Sequence, residues 1–109
     1  MIKDKIYYLF DLCMEAQRGK DGNIEPRVSK KWAGFGHYYH STGPTVFFDF
    51  SGHTAELEIS IYRNGWLSDK GPDEKFEFYI NKEINNKDFE HCKTVLEEIV
   101  RNQKEQEEE

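Results

Sequence analysis

The stretch from Pro44 to Trp66, PTVFFDFSGHTAELEISIYRNGW, decides how the rest of the chain is read. Val46, Phe48 and Phe50 recur at every second position, and so do Leu57, Ile59 and Ile61; Phe47, Asp49, Glu56, Glu58 and Ser60 fall between them. A period of two marks a strand with one buried face, because successive strand side chains point to opposite sides of a sheet. Ser51, Gly52 and His53 separate the runs, so strands over about 45–50 and 54–63 form a β-hairpin. Asn64-Gly65 follows, a dipeptide that tolerates the positive φ angles of a type I′ turn.

Working outward, the polar loop LSDKGPDE (67–74) leads to Phe76, Phe78 and Ile80, which alternate with Glu77 and Tyr79 as a further strand. Upstream, VSKKWAGFGHYYHST mixes aromatic residues with Gly34 and Gly36; it reads as an irregular first strand over about 29–40, ended by Gly43 and Pro44. At the N-terminus, Ile2, Ile6, Leu9, Phe10 and Cys13 recur at three- and four-residue spacing, which predicts an amphipathic helix over about 2–17 that stops near Gly19. At the other end Asn85 with Asp88 resembles a variant capping box, and Phe89, Cys92, Val95, Leu96 and Ile99 trace one face of a closing helix over about 86–103.

Two amphipathic helices need an apolar surface, and an antiparallel sheet with one apolar face supplies it. The expected architecture is therefore α+β: a two-layer sandwich of four antiparallel strands in the order α-β-β-β-β-α, with the N- and C-terminal helices on one face. Residues 1–103 form a single domain, and 104–109 are read as a disordered acidic C-terminal tail.

With 109 residues, 37% hydrophobic, 33% charged and 15% aromatic, the chain is too aromatic for a disordered segment and too polar for a membrane protein. Asp4 and Lys5 interrupt the place where a signal peptide has its apolar centre, so the expected location is the cytoplasm of the host cell. The net charge is −6, and residues 1–100 carry 13 basic against 17 acidic side chains. With Arg27, Lys30 and Lys31 as the best basic cluster, direct nucleic-acid binding is not expected. Cys13 and Cys92 are too few and too far apart for a disulfide framework, and read as buried reduced thiols.

No cofactor, metal or catalytic motif is recognised. His37 and His40 lie an odd number apart in an extended segment and face opposite ways, and neither Cys-x-x-Cys nor His-Glu-x-x-His spacing occurs. A small metal-dependent or carboxylate-based hydrolase built on His37, His53, Asp49 and Glu56 is the rival reading. The aromatic excess carries more weight. Trp32, Phe35, Tyr38, Tyr39, Phe47, Tyr62, Trp66 and Tyr79 exceed what one sheet face hides. Exposed Tyr and Trp supply stiff contact area at low entropic cost, so Trp32, Tyr38, Tyr39, Tyr62 and Trp66 are the expected binding residues for a protein partner. A homodimeric structural protein accounts for the same rings.

The segment Asp49–His53, DFSGH, followed by Tyr62-x-Asn64-Gly65-Trp66, resembles a pattern in small uncharacterised proteins encoded by phages and prophages of Gram-positive bacteria. The resemblance covers about a quarter of the chain and carries no activity or residue role. It implies a setting: an accessory factor that occupies the surface of a host or phage protein, as anti-CRISPR inhibitors do with nucleic-acid-handling effectors.

Overall fold

A computed structural model describes residues 2–19, 21–24, 27, 43–65 and 71–107. The order is α1 (Ile2–Ala16), β1 (Thr45–Ser51), β2 (Glu56–Tyr62), β3 (Glu74–Tyr79) and α2 (Asn86–Glu107). The protein is α+β, with two helices and a three-stranded antiparallel sheet of order β1-β2-β3 among the described residues. The expected first strand, 29–40, lies outside them.

The register explains the core. Val46 pairs with Ile61, Phe48 with Ile59 and Phe50 with Leu57; Leu57 and Ile59 then pair with Phe78 and Phe76. These residues share one sheet face. Leu57, Ile59 and Ile61 on the central strand are fully buried, and they form one cluster with Ile6, Leu9, Cys13 and Ala16 of α1 and Phe89, Cys92, Leu96 and Ile99 of α2. Each large aliphatic buried there contributes roughly 1.5–3 kcal/mol relative to exposure. Both helices therefore cover the same face of the sheet.

The helices run parallel. Lys5 donates to Asn86 Oδ1 near both N-termini, Tyr8 donates to Glu97, and Gln103 Nε2 donates to the Ala16 carbonyl at 2.7 Å near the other end. Three sequential antiparallel strands give this direction, because the chain reverses four times between α1 and α2, and an even number of reversals returns it to its starting sense. The connection from α1 to β1 begins and ends at one end of the sheet, where Arg27 donates to the carbonyls of Arg18 (3.0 Å) and Pro44 (2.7 Å). Gln17 Oε1 accepts from Val46 N at the same place, satisfying an outward amide of β1.

Several boundaries differ from those expected. The β1–β2 turn differs from the expected Ser51–Gly52–His53: residues 52–55 turn, and Ala55, at φ 59°, takes a left-handed conformation. Among Asn64 and Gly65 only Gly65 has positive φ (101°), so no type I′ pair forms; Gly65 N instead donates to Tyr62 O. After α1, Gly22 (φ 83°) rather than Gly19 is left-handed, and Gly19 N donates to Asn23 O across the turn. The last strand spans Glu74–Tyr79, ending before Ile80, whose amide turns back to the Ala55 carbonyl. Asn85 caps α2 as expected, its Oδ1 accepting from Lys87 N (2.9 Å) and Asp88 N (3.2 Å). The helix then continues to Glu107, beyond 103 and into the stretch assigned to a tail. Lys, Glu and Gln are good helix formers, and Gln103 anchors the late turns to α1.

Candidate functional site

Strand alternation places Phe47, Asp49, Glu56, Glu58, Ser60, Tyr62, Lys75, Glu77 and Tyr79 on the sheet face opposite the helices. Asp49 and Glu58 are direct cross-strand partners, and so are Glu58 and Glu77. Three carboxylates thus stand in one row across the sheet, with neighbouring Cβ atoms roughly 4.5–5.5 Å apart. Like charges opposite one another repel, and Lys75 offsets this, with its Nζ 3.4 Å from Glu58 Oε1 and 3.6 Å from Glu77 Oε1. Its hydrogen bond to Glu58, then the Glu58 charge, holds the Lys75 ammonium above its usual pKa. Counting Glu56, the described strand positions of this face set four carboxylates against the Lys75 ammonium, with Lys82 at the Tyr79 edge.

Aromatic residues frame the row. The Phe47 ring stands beside the carboxylates, partly exposed, and meets Tyr62 edge-on at 5.6 Å and 82°. Tyr79 is exposed beside Glu56, whose charge is the main cause raising its phenol pKa, and Lys82 Nζ lies 5.3 Å from the centre of its ring. The arrangement offers acceptors and π-faces together, the chemistry that receives Lys and Arg side chains.

Of the expected binding residues, Trp32, Tyr38, Tyr39 and Trp66 lie outside the described residues. Tyr62 is described and is 8% exposed, which corrects its expected place on an open surface: an outward-facing position on the strand still buries when rings such as Phe47 close over it. Asp49 and Glu56, named for a hydrolase, share this face one diagonal step apart, whereas His53 sits exposed in the 52–55 turn and His37 lies outside the described residues. Among the described residues no group of three or more His, Cys, Asp or Glu is placed to hold a metal ion. His91 instead packs its ring edge-on against Phe76 at 5.2 Å.

Both thiols are buried and free. Burial pushes the Cys13 thiol up to about 12 and raises that of Cys92 as well, so neither has the character of an activated nucleophile.

The sequence reading missed an exposed apolar group on the helix side of the sheet. The periodicity places Phe10 and Phe50 on the buried face, yet they are 42% and 57% exposed. The available signal was the excess of apolar residues on α1: Tyr7, Tyr8 and Met14 in addition to the five that fit one stripe. Set against known proteins, the chain matches no family profile, no curated protein and no solved structure.

Proposed function

We propose that this chain is a non-enzymatic accessory protein that binds a basic protein partner through the sheet face opposite its helices. The observation that carries the reading is the row Asp49–Glu58–Glu77, flanked by Phe47 and Tyr79, with Lys75 between Glu58 and Glu77. Carboxylates repelling one another on a free surface gain most when a cationic partner covers them, and the net charge of −6 speeds approach to such a partner. Trp32, Tyr38, Tyr39 and Trp66 are proposed as further contact residues for the partner, and Tyr62, packed against Phe47, supports the described face. The DFSGH and YxNGW resemblance supports a phage setting in a bacterial cytoplasm, where the basic partner is a nucleic-acid-handling enzyme such as a CRISPR effector.

The test begins with affinity capture from the native host, identification of the bound protein by mass spectrometry, and measurement of its affinity for variants. D49K/E77K should weaken binding at least tenfold, about 1.4 kcal/mol, with the folded state unchanged. Trp66→Ala should also weaken it. Binding that survives both variants would refute the face assignment.

A further inference from the structure

A second surface lies on the helix side of the sheet, independent of the acidic row. Phe10 sets its ring edge-on against Phe48, with centroids 5.2 Å apart at 77°. Met14 follows Phe10 by four residues on α1 and is 36% exposed; Phe50 follows Phe48 by two on the same face of β1 and is the most open of the group. Phe10 and Phe48 meet across the α1–β1 junction, and Met14 on α1 and Phe50 on β1 extend the apolar strip from them. The opposite flank of α1 is occupied, since Lys5 and Tyr8 there bond Asn86 and Glu97 of α2. The exposed acids Asp4 and Asp11 are seven residues apart and share a row, and Asp11 lies three residues from Met14, so that row borders the strip.

This combination specifies its occupant. An apolar strip edged by carboxylates fits an amphipathic helix whose own apolar stripe is edged by Lys or Arg, the helix-in-groove mode of recognition. A second copy would set Asp4 and Asp11 against their own charge on a chain of net charge −6, and an anionic membrane surface would be repelled by the same groups. We infer that the Phe10–Met14–Phe48–Phe50 strip is a docking surface for a basic amphipathic helix of another protein.

The probe is a synthetic helical peptide of about 18 residues, roughly 27 Å long, with Leu on one face and Lys on the other, alongside a Leu/Glu counterpart. Binding is followed by amide chemical shifts and by fluorescence anisotropy at about 150 mM salt, where distant surface charges are screened. The Leu/Lys peptide should shift the amides around Phe10, Met14 and Phe50 and bind at least tenfold tighter than the Leu/Glu peptide. Phe50→Ser should weaken it at least tenfold, and Met14→Ser, which leaves the Phe10–Phe48 contact in place, should weaken it as well. D49K/E77K, on the other side of the sheet, should leave the shift pattern on α1 and β1 in place, which separates this surface from the acidic face. Absence of binding, equal binding of both peptides, or binding indifferent to Phe50→Ser and Met14→Ser would overturn the inference. So would a wild-type dimer that Phe50→Ser dissolves, because the occupant would then be a second copy.

Discussion

Ala55 carries a strain that the sequence does not announce and that one substitution should release. At φ 59° it is the only non-glycine residue with positive φ among those described, and an L side chain there costs roughly 1–2 kcal/mol through contact of Cβ with the neighbouring carbonyl. Ala55→Gly removes that cost. It also returns roughly 0.5–1 kcal/mol of disorder to the unfolded chain and gives up a methyl that is only partly buried. The bond from Ile80 N to the Ala55 carbonyl, at 2.9 Å, involves no side chain and persists. The balance is a gain of about 0.5 kcal/mol, or roughly 2–4 °C in melting temperature for a domain of this size. The mirror experiment is Gly22→Ala. With φ 83° and no atom within 4 Å of an added Cβ, it should cost about 1 kcal/mol through the backbone alone. Urea unfolding of the three proteins, compared at constant m, measures both values. An Ala55→Gly protein less stable than wild type by about 1 kcal/mol would refute the turn geometry on which the β1–β2 register rests.

Other outcomes follow from single contacts. Asn85→Ala should cost about 1 kcal/mol in the same assay, because the Lys87 and Asp88 amides lose their acceptor; Asn85→Asp should restore most of it. The thiols give a pH dependence of definite sign. Burial raises Cys13 to about 12, so between about 8.5 and 12 the unfolded chain has lost a proton that the native state keeps, and stability falls as pH rises through that window. Between about pH 8 and about pH 10, wild type should lose about 1.5 kcal/mol more than Cys13→Ala, read from urea midpoints. A disulfide-exchange reagent should modify both thiols only as fast as the protein unfolds.

The hairpin was legible because Val46 to Phe50 and Leu57 to Ile61 each place an apolar residue at every second position, and a one-residue slip would have turned those side chains to solvent. The N-cap of α2 was legible for a similar reason, since Asn85 stands immediately before an unbroken helical stripe. The helix-side strip was not. Phe10 and Phe50 obey the periodicity of buried residues, and the lateral position of α1, with one flank against α2 and the other beside β1, which is outermost among the described strands, leaves them open. The carboxylate row was half visible. Asp49, Glu56 and Glu58 alternate in sequence, but that Asp49, Glu58 and Glu77 stand abreast depends on a register that only the folded sheet supplies. Ala55 was hidden because the nearby Gly52 drew the turn to itself.

The most direct measurement on the acidic face is zero-length carbodiimide cross-linking of the protein to its captured partner, with the joined residues mapped by mass spectrometry. The account predicts amide links from Asp49, Glu58 or Glu77 to lysines of the partner, lost in D49K/E77K. Links confined to carboxylates of α2, such as Glu90 and Glu98, would contradict it.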